Sequence, residues 1–191
     1  MDTVRALCHD LRQPLAAVLL LAQTPLRGTG EARRRMELIA DQAAWIATLV
    51  DQVLLEAPGQ DVVPVDVAAC AASAAARAGA TAAQPIAVSV SGSAMAWARE
   101  VALTRALGCL LDNAVRAAGP GRVAVDVIGS GGEVEVLITD SGPGLGGVPA
   151  QTSLGLAITR ALVATCGGSF TLRNQPSGGA VARVALSAVE I

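Results

Sequence analysis

The sequence predicts an α+β protein, in which a two-helix hairpin forms a dimeric four-helix bundle and an α/β sandwich follows it. Three observations predict this. First, Met36, Ile39, Ala43, Ile46, Val50 and Val53 step by three and four, a heptad seam that Trp45, Leu49 and Leu54 widen. Second, Val123, Val125 and Val127 sit at alternate positions, as do Val134, Val136 and Ile138, with the turn Gly129-Ser130-Gly131-Gly132 between them. Third, helical and strand-like stretches succeed one another from residue 66 to residue 191, an order that suits one mixed sheet covered on one face by helices.

The first helix is expected from Asp2 to Ala22, with Val4, Leu7, Leu11, Leu15, Val18 and Ala22 as its apolar stripe and Pro14 as a bend. The turn formers Thr24-Pro25-Leu26-Arg27-Gly28-Thr29-Gly30 end it, and the seam helix follows. Two antiparallel helices of this length cannot bury such a stripe alone. Pairing two hairpins does, so a homodimer is expected; packing of one hairpin on the rest of the chain is the alternative. Ala57-Pro58-Gly59-Gln60 breaks the second helix. The expected boundaries are therefore a helical hairpin over 1–57, a linker over 58–65 that contains Pro64, and a second domain over 66–191. In that domain residues 66–79 read as an alanine-rich helix, 86–90 and 94–98 as strands, and 99–118 as a helix stopped by Gly119-Pro120-Gly121. Beyond the valine hairpin, Leu154–Cys166 is an amphipathic helix closed by Gly167-Gly168, and strands are expected around 169–173 and 180–186.

Composition excludes several classes. Hydrophobic residues make up 52% of the 191, but many are alanine, and the strongest apolar run, Leu15–Ala22, is only eight residues long. A bilayer span needs roughly 20, so no membrane segment is expected. No basic stretch precedes a cleavable apolar core, and a cytoplasmic location is expected. A net charge of −2 with 2% aromatic residues argues against a nucleic-acid surface. Cys8, Cys70, Cys109 and Cys166 are far apart with no paired spacing, which reads as reduced thiols rather than a zinc set.

His9 is the only histidine in the chain. On the first helix it lies roughly 160° from both Leu7 and Leu11. It therefore projects away from the stripe, with Arg5, Arg12 and Gln13 on its own face. A histidine that merely fills a core needs the apolar face. An exposed one beside Asp10, on a rigid helix, suits a nucleophile.

These residues carry a resemblance. His9-Asp10-Leu11-Arg12-Gln13-Pro14-Leu15 resembles the phosphoacceptor box of the sensor histidine kinases. Leu110-Leu111-Asp112-Asn113-Ala114-Val115-Arg116 resembles their asparagine box, Asp140-Ser141-Gly142-Pro143-Gly144-Leu145-Gly146 their first glycine box, and Leu154-Gly155-Leu156-Ala157 the second. Four boxes in this order behind a heptad hairpin make the similarity specific, and it covers nearly the whole chain. It implies a dimerisation and histidine-phosphotransfer hairpin, then the Bergerat ATP-binding sandwich shared with gyrase, heat-shock protein 90 and mismatch-repair ATPases. ATP and Mg²⁺ are the implied cofactors. A response-regulator receiver domain is the implied partner, and signal input would come from a separate sensory protein or domain.

The resemblance also implies roles. His9 attacks the γ-phosphate, Asp10 holds the proton on the other ring nitrogen, and Gln13 stands where the family orients water for dephosphorylation. Asn113 ligates Mg²⁺, Arg116 contacts a phosphate, and Asp140 accepts the adenine amino group. Gly142 and Gly144 let the backbone approach the base, and Leu154, Gly155 and Leu156 bring helix amides to the phosphates. Four departures from the family pattern fall on the nucleotide side. Cys109 stands four residues before Asn113 in place of a polar residue, and Gln151-Thr152-Ser153 replaces glycines. Only Leu145 to Ala150 separate the glycine boxes, so the lid is very short; Ala180 stands where threonine is common. The alternative is a histidine phosphotransferase relay on a degenerate kinase fold that no longer uses ATP.

Overall fold

The computed structural model describes residues 14–23, 30–32, 34–36, 38, 39, 42, 46, 61–80, 82, 83, 85–145 and 153–190. His9, Asp10 and Gln13 lie outside them, as do the turn at 24–29 and the seam residues Ala43, Val50 and Val53. The chain divides into two units, Met1–Gly59 and Gln60–Ile191.

In the first unit residues 14–23 are helical (α1), and every described residue between 30 and 46 is helical (α2). Glu31 and Arg35, one turn apart on α2, form an ion pair at 3.4 Å.

The second unit begins with a strand where a linker was expected. Val63–Asp66 is β1, antiparallel to β3 (Met95–Ala98), with Val65 opposite Ala96 and Pro64 opposite Trp97. The correction has a physical reason. Val65 and Ala96 are both buried and form the inner side of this ribbon, while Pro64, which has no N–H to donate, is tolerated in a short two-stranded ladder. Asp66 ends β1 and caps the next helix, α3 (Val67–Gly79), by accepting from the Ala69 amide at 3.1 Å. Strand, cap and helix follow one another without a spacer.

The main sheet has five strands in the order β2-β4-β5-β7-β6: β2 (Ala87–Ser91), β4 (Val123–Ser130), β5 (Glu133–Asp140), β7 (Ala180–Ser187) and β6 (Ser169–Asn174). Only β2 and β4 run parallel, so the sheet is mixed as expected. It is not the single sheet expected, because β3 leaves it to pair with β1, and the bridge Ala96–Ala188 joins β3 to the residue that follows β7. The valine hairpin pairs from Val123–Asp140 to Ser130–Glu133, so one side of each strand turns inward at every second residue. Val123, Val125, Val127, Val134, Val136, Ile138 and Asp140 form that inward side.

Helices cover it. On α4 (Glu100–Ala118) the buried residues Ala102, Leu103, Ala106, Leu107, Leu110, Leu111, Ala114 and Ala118 form the stripe against the sheet. The small residues Cys70, Ala71, Ala74, Ala75 and Ala78 of α3 let the two helices approach closely. α5 (Ser153–Thr165) packs on the other flank of α4 and ends where the Gly168 amide donates to the Val163 carbonyl at 3.1 Å. That is the glycine closure read from the sequence.

Candidate functional site

Asp140 is the one polar residue on the inward side of β5, at its C-terminal end, and only 7% of it is exposed. Its Oδ1 accepts from the Gly142 amide at 2.9 Å and from the Ala180 amide at 3.4 Å. Two backbone donors from different segments thus hold the carboxylate through one oxygen at the wall of a cleft. Gly142 must be glycine here, because a Cβ would lie 2.5 Å from the Ala117 carbonyl oxygen and 2.9 Å from Asp140 Oδ1. The turn is also held from the residue before β4: the Arg122 amide donates to Ser141 Oγ at 2.8 Å.

Asn113 and Arg116 come from α4 at a spacing of three, so both face the same side. They line a cleft of about 140 Å³ together with Asp140, Gly144 and Leu156. Its walls are apolar, formed by Leu110, Ala114, Ile138, Leu172 and Ala182. Gly155 lies beside Asn113, 3.6 Å from the Asn113 amide nitrogen to where a Cβ would stand. It is the third residue of α5 rather than the first, still within the turn whose amides lack helical partners. Leu154 is in the same turn, and its side chain lies outside the described residues. Five of the sequence-identified residues thus share one cleft, and Gly142 and Gly155 border it.

An apolar slot with one oriented carboxylate at its side suits a flat, nitrogen-rich ring that offers an amino group. At the α4 side the Arg116 guanidinium suits phosphate, and the Asn113 side-chain oxygen is the kind of donor Mg²⁺ takes alongside phosphate and water. ATP and Mg²⁺ fit the residues present.

Some of this site had no motif. The apolar walls come from four elements, and Ala180 serves through its backbone, so the side chain that replaces the common threonine leaves its amide bond to Asp140 intact. Asn174, at the end of β6, accepts from the Leu145 amide at 2.5 Å and was not singled out. The thiols of Cys70 and Cys166 are buried, and burial pushes both above the usual thiol range. Cys166 donates weakly to the Arg99 carbonyl at 3.8 Å.

A mixed sheet with helices on one face, and a carboxylate-lined cleft between helix and sheet, defines the Bergerat class of nucleotide-binding sandwich. Residues 98–190 match the family model described as Histidine kinase-, DNA gyrase B-, and HSP90-like ATPase, and residues 2–60 match the His Kinase A (phospho-acceptor) domain, a span that includes His9, Asp10 and Gln13. The two together mark the chain as a member of the sensor histidine kinase family. It is 28% identical over 218 aligned positions to sensor protein KdpD of Escherichia coli, covering 95% of this chain and 24% of that protein. It is 36% identical over 101 positions to the sensor histidine kinase component HK1 of Mycobacterium tuberculosis, covering 44% of this chain and 60% of the other. Among solved structures, the ATP-binding domain of PrrB from Mycobacterium tuberculosis superposes with a TM-score of 0.56 at 28% identity, covering 68% of this chain and 99% of that one. The chain thus spans about a quarter and three fifths of the lengths of the two curated relatives.

Proposed function

We propose that this chain is an ATP-dependent protein-histidine kinase that phosphorylates itself on His9 and passes the phosphoryl group to an aspartate of a response-regulator receiver domain. One observation carries the reading: Asn113, Arg116, Asp140, Gly144 and Leu156, drawn from three helical and strand elements and a turn, converge on one apolar cleft. Phosphoryl transfer asks a protein mainly for positioning and charge, and these residues supply both. Asp140 takes the amino group of adenine while the Gly142–Gly144 turn lies along the base. Arg116 meets the phosphate chain. Asn113 would hold Mg²⁺ through its side-chain oxygen, and the ion would supply positive charge beside the phosphates. The neutral His9 ring attacks through one nitrogen, and Asp10 stabilises the imidazolium as it forms. Gln13 orients water when the regulator is dephosphorylated. The active unit is a homodimer, and it works in the cytoplasm, where ATP is found. In the described residues no helix is long and apolar enough to cross a membrane.

The test is incubation of the purified chain with Mg-ATP labelled at the γ-phosphate, followed by acid and alkali treatment. Acid-labile, alkali-stable label on the chain is expected. His9→Gln is expected to reduce it to background, and Asn113→Ala to slow it on the order of a hundredfold. Wild-type chain that takes no label from ATP overturns the kinase reading. Label arriving only from a phosphorylated regulator would instead mark a relay.

A further inference from the structure

We infer that Asn174 is a positioning residue of the nucleotide cleft: its carboxamide fixes the turn that forms one wall of the adenine slot. The inference rests on the ATP-binding reading above and assigns to that site a residue from outside every motif.

Gly144 and Leu145 both line the cleft. They follow Asp140 on a turn that has two anchors. The near anchor is Asp140 itself, through the Gly142 amide. The far anchor is Asn174, whose Oδ1 accepts from the Leu145 amide at 2.5 Å across 29 residues of sequence. Gly144 sits between the anchors with φ +78°, and a Cβ there would stand 2.7 Å from Asn174 Oδ1. The carboxamide therefore packs directly on a backbone that only glycine adopts easily. Asn174 is itself well placed to act as a fixed post. It is the last residue of β6, paired with Ala180 of β7, and the Ala180 amide donates to Asp140 Oδ1. One cross-strand pair thus holds both ends of the turn, Ala180 at the carboxylate and Asn174 at the wall. Asparagine has the reach and the acceptor; alanine has neither.

The consequence concerns binding rather than chemistry. With the acceptor gone, the Leu145 amide is free to leave its place, and the slot must be reordered each time a nucleotide enters. The cost falls on ATP affinity, because Asn174 acts on the Gly144–Leu145 turn and not through Asn113 or Arg116.

Three chains test this: wild type, Asn174→Ala and Asn174→Asp, the last keeping an acceptor oxygen on the same stem. Amide hydrogen exchange at Leu145, read without nucleotide, is expected to be slow in wild type and Asn174→Asp and fast in Asn174→Ala. Autophosphorylation is expected to show KM for ATP raised about tenfold in Asn174→Ala, with the rate at saturating ATP within about twofold of wild type, and KM largely restored in Asn174→Asp. Equal thermal midpoints for the apo proteins are expected, which separates positioning from loss of fold. An Asn174→Ala chain with wild-type KM and a still-protected Leu145 amide overturns the inference while leaving the ATP reading intact. A fall in the saturating rate with KM unchanged overturns it too. Failure of the wild-type chain to bind ATP overturns both readings together, whereas ATP binding that Asp140→Asn abolishes and Asn174→Ala leaves unchanged overturns this inference alone.

Discussion

Two carboxylates on β5 show how place decides what a residue does. Asp140 faces inward, where two backbone amides orient it. Substituting the glycine that supplies one of those amides is expected to be costly: Gly142→Ala brings a methyl against both the Ala117 carbonyl and Asp140 Oδ1. A loss of about 1–3 kcal/mol of stability is expected from the overpacking, with ATP binding lost more completely than the fold. Denaturant melts beside nucleotide titration check this, and a variant that binds ATP like wild type refutes it. Glu135 faces outward, where the Arg183 guanidinium reaches it at 2.5 Å and Glu133 at 3.5 Å. The hydrogen bond from Arg183 holds the Glu135 carboxyl below the usual carboxylate range. A lowered folded pKa stabilises the protein above the unfolded value, near 4.3 for Glu, and the gain is lost as pH falls through the folded value. Because the pair is about one-third exposed, the gain is small, about 0.5 kcal/mol. Glu135→Gln is therefore expected to be less stable than wild type by that amount at pH 7 and equal to it at pH 3, as measured by chemical denaturation at both pH values.

At the scale of elements, what was legible in the sequence depended on whether the signal was local. β4 and β5 announce themselves by period two, and continuing that period from Val134 through Ile138 reaches Asp140, so the site carboxylate was readable as an inward residue before any fold was known. α4 was readable from the breakers Gly119-Pro120-Gly121 that stop it, and in the structure Asn113 and Arg116 flank its buried residue Ala114. β1 was not. Pro58, Gly59 and Pro64 crowd its approach, and the residue that makes it a strand, Ala96 opposite Val65, lies beyond a helix and another strand. Asn174 was invisible for the same reason, since nothing near it says that its partner is the Leu145 amide. The β1–α3 junction carries a prediction of its own. Asp66 caps α3 through the Ala69 amide, and α3 has no acidic residue in its first turn to substitute for it. Asp66→Ala is expected to destabilise the second unit by about 1 kcal/mol, and Asp66→Ser by clearly less. Equal unfolding midpoints for the alanine and serine variants would show that the cap contributes little.

The whole molecule is a question of what covers the helical unit. In a single chain Leu15, Leu19 and Leu20 of α1 are 48%, 58% and 68% exposed, and Met36 and Leu38 of α2 are 66% and 43% exposed. Leu15 belongs to the stripe read from the sequence and Met36 to the heptad seam, so the exposed residues include those whose spacing asked for a partner. A hairpin that leaves them in water forgoes roughly 1.5–3 kcal/mol for each large side chain that burial would gain. A second copy offers the same surface, and a two-fold axis brings like stripes together without any new complementarity. The prediction is a homodimer in solution whose interface runs through these five residues. Sedimentation equilibrium is expected to return twice the mass of one chain for wild type. Leu20→Glu combined with Met36→Glu is expected to return the mass of one chain, while the second unit keeps its ATP affinity, because Asn113, Arg116 and Asp140 all come from that unit. A wild-type chain that stays monomeric at high concentration removes the dimer, and a charged double variant that stays dimeric moves the interface elsewhere.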